Sequence, residues 1–265
     1  MHLLYPANPL GPRDPDEQYV QESKVAAEMG FEYSIFSFED LLAGKFRPIP
    51  ELPPGDTIVY RGWMMKPQEY FRFHAAICAT GAVPLTSPQQ YELCHYLPRW
   101  YPILQDFTPE TLFFNESDDI AGKLQVVSWT SCFLKDYVKS VAAAGGSMAR
   151  NLSEIPAILE RMTKFRGEIE GGVCARRIEE FDSKSESRHF VYQGKPFSRT
   201  GDTPEIVTTA AQRILSPFFS VDVARRRDGV LRIIELGDGQ VSDRKDWTAR
   251  ELLQIFQRQP SVHVN

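Results

Sequence analysis

The sequence predicts an α/β amino-terminal domain over residues 1–100 and an α+β domain over residues 101–265. Two observations lead there. In the first hundred residues strand-like and helix-like segments alternate, the pattern of a parallel sheet with crossover connections. Beyond them, strands follow one another with only one or two helices between. A third observation sets a limit: the first domain reads as Rossmann-like, yet it lacks the glycine-rich dinucleotide fingerprint.

The elements follow in order. "MHLLY" is strand-like, and "DPDEQYVQESKVAAEMG" reads as a capped amphipathic helix stopped by Gly30. "EYSIFSF" is a strand, "EDLLAG" a short helix, and "DTIVYRGW" a strand opened by Pro-Gly-Asp. "PQEYFRFHAAICATG" is a helix ending at Gly81, followed by "AVPLT" and a short helix from Ser87. In the second part, a helix near residues 117–126 precedes the strand "WTSCFLKDYVKS", whose alternation puts Phe133, Lys135, Tyr137 and Lys139 on one face. "VAAAGGSMAR" is small and glycine-rich, and "LSEIPAILERMTKF" is a helix. "GGVCARRIEEF" and "RHFVYQGKPF" are strands, "EIVTTAAQRILS" a helix, and a hairpin closes the sheet.

Composition excludes several classes. With 42% hydrophobic and 25% charged residues the chain is an ordinary globular one, not a disordered one. A net charge of −5 argues against a general nucleic-acid binder. Cys78, Cys94, Cys132 and Cys174 are widely spaced without a CxxC pair, as expected of reduced thiols rather than a disulfide framework or zinc site. No segment approaches the roughly 18 apolar residues of a membrane span, and the start is too weakly apolar for a signal peptide. A cytoplasmic protein without a membrane partner is expected; a homo-oligomer is left open.

The hairpin "VDVARRRDGVLRIIELGDGQVSD" poses the chemical question, because each apolar strand carries one acid, Asp222 or Glu235. With Asp228-Gly229 as a two-residue turn, Arg227 pairs with Val230 and Asp222 falls opposite Glu235. Directly opposed residues have Cβ atoms roughly 4.5–5.5 Å apart, where like charges repel. The pair needs a cation. A divalent ion held by two carboxylates and substrate phosphates is one answer. Arg225, Arg226 or Arg232, or simple solvation of one acid, is the other.

Further upstream, Lys135 and Lys139 precede a loop containing Gly145 and Gly146. Ammonium groups and exposed backbone N–H groups both bind oxyanions, while two solvated lysines beside a hairpin loop are the plain alternative. Arg61 follows "TIVY" at the carboxyl end of a strand, where open α/β sheets bind ligands. A guanidinium there grips either a substrate carboxylate or an acid of the fold itself.

The order of a lysine-bearing strand, a glycine loop, a helix, a strand running into a linker and two acidic strands resembles the ATP-grasp superfamily of carboxylate–amine ligases. The small bacterial members with a short Rossmann-like amino-terminal domain are the most similar. The phrases "YRGWMM", "FLKDYVKS", "ARRIEEF", "ESRHFVYQGK", "FSVDVARRRDG" and "IIELGDGQVSD" carry the resemblance. It implies an ATP-grasp domain of two α+β subdomains with the nucleotide between them, and ATP and Mg²⁺ as cofactors. Lys135 then contacts phosphates, and the loop from Val141 to Arg150, with Lys139, Gly145 and Gly146, covers them. The stretch Arg177, Ile178, Glu179, Glu180 and Phe181 reads adenine, and Asp222 and Glu235 are the metal carboxylates. Arg188 and Glu186 reach toward the acyl group or γ-phosphate, with Arg188 and Lys135 in the catalytic role and Arg61 and Glu186 on substrate. The family usually places an asparagine two residues after its second acid. That position is Gly237 here, which leaves Asp238 to complete the metal site.

The implied reaction phosphorylates a small-molecule or peptide carboxylate. An amine then displaces phosphate to form an amide, releasing ADP and phosphate. A non-catalytic ATP-binding regulatory module is the alternative.

Overall fold

The computed structural model describes residues 1–138, 147–167 and 169–257. Its first elements are β1 (His2–Asn8), β2 (Gly11–Pro15), α1 (Val20–Glu28), β3 (Tyr33–Phe36), α2 (Phe38–Leu42), β4 (Thr57–Tyr60), α3 (Pro67–Ala79), β5 (Val83–Pro84) and α4 (Pro88–His95). Next come α5 (Leu97–Leu104), β6 (Thr111–Phe114), α6 (Ile120–Val126), β7 (Cys132–Asp136), β8 (Met148–Ala149), α7 (Ile155–Arg166) and β9 (Val173–Arg176). The chain continues through β10 (Ser187–Tyr192), β11 (Lys195–Phe197), α8 (Glu205–Arg213), β12 (Phe218–Arg225), β13 (Leu231–Asp238) and α9 (Ala249–Gln257).

Two compact units result, and neither is contiguous. Unit 1 joins Met1–Glu92 and Arg188–Ser220 to the described residues from Gly237 on; unit 2 is Leu93–Ser187 with Val221–Leu236. The expected division into residues 1–100 and 101–265 follows sequence order, whereas these units follow compactness. In unit 1, Leu252, Leu253 and Phe256 of α9 enter the same core as Leu3, Tyr5 and Val59.

In unit 1, β1 pairs in parallel with β3 and with β4, and β4 pairs in parallel with β5. Leu3, Leu4 and Tyr5 are all fully buried, as strands covered on both faces must be. Leu3 and Tyr5 belong to one core with Phe190, Phe218 and Trp247; Leu4 belongs to another with Ile58, Tyr60, Tyr70 and Phe73. The short β2 folds back antiparallel on β1. "RHFVYQGKPF" is not one strand but the hairpin β10–β11, because Gln193 and Gly194 both take positive φ (52° and 71°) between the paired Tyr192 and Lys195.

Unit 2 holds a four-stranded sheet of order β6-β9-β7-β8, antiparallel throughout. Leu124, Leu134, Ile155, Ile158 and Ala175 pack between that sheet and its helices. A further sheet has the order β11-β10-β12-β13, and β12 and β13 each contribute to both units. No helix among the described residues is long and apolar enough to cross a membrane. Cys94, Cys132 and Cys174 are buried free thiols and Cys78 is an exposed one, as the spacing predicts.

Candidate functional site

The site grows from the pairing of β7 with β9, which sets Phe133 beside Arg176 and Lys135 beside Cys174. Those four side chains therefore share one face of the sheet. Lys135 is only 6% exposed, and its ammonium donates to Glu235 Oε1 at 2.7 Å. The lysine expected to meet phosphates and an acid expected to hold metal are thus in contact. The cation that the hairpin acids call for is, in the protein alone, Lys135. Asp222 is also buried. Burial pushes the neighbouring Cys174 thiol up to about 12, which keeps it neutral and out of any nucleophilic role.

The turn differs from expectation. Gly229 N donates to Arg226 O and Arg226 N donates to Val230 O, both at 2.8 Å, while Arg227 N donates instead to Glu180 O. The loop is one residue longer than a two-residue turn. Gly229, at φ 92°, supplies the left-handed position such a loop requires. Counting from this end, Asp222 faces Ile234 and not Glu235. At the other end Gly239 N donates to Phe218 O at 3.0 Å. Counting from there, Asp222 faces Glu235.

A cavity of about 300 Å³, whose described lining residues all belong to unit 2, includes Phe133 and Arg176 from the sheet face that carries Lys135, and Ile234 next to Glu235. Its walls are largely apolar: Phe133 and Met148 from the sheet, Ile178 and Phe181 from the linker, and Ala224 and Ile234 from the hairpin. Arg177, Glu179 and Glu186 also line it. The charged linker side chains are already engaged. Arg232 grips Glu179 with two bonds of 3.1 and 3.0 Å, Arg227 donates to Glu180, and Arg177 donates to Glu110 while stacking 4.6 Å over Trp129. These ties leave Phe133, Met148, Ile178, Phe181, Ala224 and Ile234 as the apolar part of the cavity's lining.

Sequence reasoning missed Arg176. It is 6% exposed and donates to Ile234 O at 2.7 Å and Thr108 Oγ1 at 2.5 Å. Its only signal in the sequence is a double arginine at a strand end.

Three expected site residues lie in unit 1. Arg61 has a fully buried guanidinium that binds Glu22 at 2.9 and 3.2 Å and donates to the carbonyls of Gly239, Gln240 and Ser242. In the protein alone it grips an acid of the fold itself. Arg188 donates to Asp243 O at 2.8 Å and to Asp243 Oδ1, and its own carbonyl accepts from Trp247 Nε1. Asp238 has no exposed surface, and its Oδ1 accepts from Gln240 N and Nε2. Burial raises its carboxyl to about 7 in the protein without metal. Lys139, Gly145 and Gly146 lie outside the described residues.

Asp238 carries a pH signature. A folded pKa above the unfolded value means stability that is fully present at low pH and lost as pH rises through the folded pKa. Melting temperature should therefore fall between about pH 4 and pH 7, and Asp238→Asn should flatten that slope. An unchanged slope in the variant assigns the titration elsewhere.

Among the described residues no group of three or more His, Cys, Asp or Glu side chains is placed to hold a metal. Asp222 and Glu235 nevertheless fit Mg²⁺ arriving with a nucleotide, because that ion is commonly held by one or two carboxylates together with substrate phosphates.

Residues 103–256 match the model of an ATP-grasp domain family, the third family of its clade. Solved structures share the fold over nearly the whole chain. The ATP-grasp ligase PsnB complexed with precursor peptide PsnA2 and AMPPNP superposes with a TM-score of 0.61 at 10% identity, covering 97% of this chain and 96% of that one. The D-alanyl-alanine synthetase A of Vibrio cholerae O1 biovar eltor gives 0.63 at 13% identity, over 96% and 93%. D-cycloserine synthetase DcsG gives 0.61 at 13% identity, over 97% and 98%. No curated protein sequence matches the chain.

Proposed function

Because the chain belongs to the ATP-grasp superfamily, and so is an ATP- and Mg²⁺-dependent carboxylate–amine ligase, we propose that unit 2 binds the nucleotide that drives amide formation. The γ-phosphoryl group passes to a carboxylate of an amino acid or peptide. An amine then attacks the acyl carbon, and phosphate leaves as the amide forms. The observation that carries this reading is the Lys135–Glu235 contact of 2.7 Å on the sheet face that also lines a largely apolar cavity of about 300 Å³.

Each residue has a defined task. The linker from Arg177 to Phe181 borders the base, with Ile178 and Phe181 against its faces. Lys135 exchanges Glu235 for nucleotide phosphate, which frees the carboxylate. Asp222 and Glu235 would hold Mg²⁺, and the ion neutralises charge on the phosphate oxygens when bound. Glu186 orients the acyl group, and Arg188, Lys139, Gly145 and Gly146 keep the roles that the resemblance implies. The amino-terminal domain is Rossmann-like and carries the acceptor, without Arg61. Peptide and D-alanyl substrates are suggested by the names of the similar proteins.

Turnover with amino-acid and peptide mixtures should yield ADP, and hydroxylamine should trap the activated carboxylate as a hydroxamate. AMP and pyrophosphate in that mixture would show adenylation and overturn the mechanism. A second reading, a non-catalytic ATP-binding module, is favoured by Gly237 in place of the family's asparagine. Nucleotide binding without ADP release under any mixture would establish it.

A further inference from the structure

The two ends of the β12–β13 hairpin have different registers. From Arg226–Val230 outward, Val223 meets Ile233; from Phe218–Gly239 inward, Val221 meets Leu236. Those four side chains are all essentially buried, at 1%, 0%, 0% and 1% exposure, so both registers put core residues opposite core residues. Between them β12 has one residue, Asp222, and β13 has two, Ile234 and Glu235. We propose that β13 carries a β-bulge at Ile234–Glu235, and that Arg176 and Thr108 are positioning residues that pin it.

The side-chain period of two gives the bulge its consequence. In an unbroken register Glu235 would stand opposite Val221 and point into the core. One extra residue turns it onto the face of Asp222 and Lys135. Bulges beside active sites re-aim side chains in this way.

The pins take the carbonyls of Ile233, the residue before the bulge, and of Ile234, its first residue. Thr108 Oγ1 donates to Ile233 O at 2.8 Å, Arg176 donates to Ile234 O at 2.7 Å, and Arg176 also donates to Thr108 Oγ1. In a regular strand consecutive carbonyls point to opposite edges. Here one Thr–Arg couple takes both. Thr108 is fully buried, and the buried Arg176 guanidinium divides its hydrogen bonds between Ile234 O and Thr108 Oγ1. Desolvation lowers its pKa, and the Glu235 charge opposes that shift.

The functional meaning of this device rests on the proposed nucleotide site, but its test does not. Chemical denaturation without nucleotide, on Lys135→Met, Glu235→Gln and the double variant, gives the coupling between the two side chains. That coupling should be clear in the natural background, lost in Thr108→Val, and restored in Thr108→Ser, which keeps the hydroxyl. Full coupling in Thr108→Val overturns the pin. Should Thr108→Val fail to fold, the same cycle in Arg176→Lys decides on the same terms, because a single ammonium cannot hold both partners. A companion measurement, Mg·ATP affinity by calorimetry, should weaken about tenfold in Thr108→Val, as expected for one lost buried hydrogen bond. A natural protein that binds no Mg·ATP sinks the nucleotide-site reading and leaves the coupling result standing.

Discussion

Arg61→Ala is expected to cost about 3–5 kcal/mol of folding stability, the loss typical of removing one partner from a buried ion pair. The substitution strands the buried Glu22 carboxylate, whose two oxygens accept from Arg61 at 2.9 and 3.2 Å. It also removes the donor to three carbonyls between Gly239 and Ser242, which join the carboxyl-terminal segment to β4. Arg61→Lys should recover little, since one ammonium cannot reproduce a planar five-donor fork. Replacing both members, Arg61→Met with Glu22→Met, should recover more than either single change, because neither fully buried charge is left alone and Arg244, 3.6 Å from Glu22, is partly exposed. Denaturant titration of the natural protein and these five variants measures the differences. If Arg61→Ala melts like the natural protein and only an acceptor's KM rises, the residue binds substrate after all.

Arg61 also shows where sequence reading stops. The end of a parallel strand is where ligands bind such sheets, and nothing local to "TIVYRGW" reveals that Glu22 and a segment some 180 residues away close around it. The parallel strands themselves were legible, because continuous apolar runs such as "HLLY" and "TIVY" mean burial on both faces. α9 escaped notice although its apolar spacing is helical, since it stands beyond the hairpin that drew attention. The two-residue turn was misread for a chemical reason: Asp-Gly suits both a two-residue loop and a longer loop ending in a left-handed glycine. The extra loop residue alone would have turned Glu235 into the core. The bulge compensates for it, and no feature of "IIELGDG" announces a bulge. The Lys135–Glu235 contact, between residues a hundred positions apart, was legible only through the order of strands in the family resemblance.

The ion pair changes what loss of the acids should do. Opposed carboxylates without a cation would repel, and an amide in place of either would relieve strain. With Lys135 on Glu235, the protein without ligand is already neutralised at that point. Glu235→Gln should therefore destabilise it, by roughly 2–3 kcal/mol, because a nearly buried ammonium loses its counter-charge while Glu235 itself keeps some water contact. Lys135→Met should destabilise similarly, and the double variant should be more stable than either single one. Asp222→Asn leaves the pair intact and should cost less. Nucleotide then separates the residues by a second criterion. A ligand that binds only the folded state stabilises it by about 2.7 kcal/mol at a hundredfold excess over its Kd. Mg·ATP should raise the melting temperature of the natural protein by several degrees. Lys135→Met should lose most of that shift with or without metal, having lost a phosphate contact. Glu235→Gln and Asp222→Asn should lose chiefly the part that depends on Mg²⁺, and keep the shift given by ATP with a chelator. Melting curves of four proteins under three conditions decide it. If Glu235→Gln and Asp222→Asn keep the full Mg·ATP shift while losing stability without ligand, both carboxylates are structural and the metal site lies elsewhere.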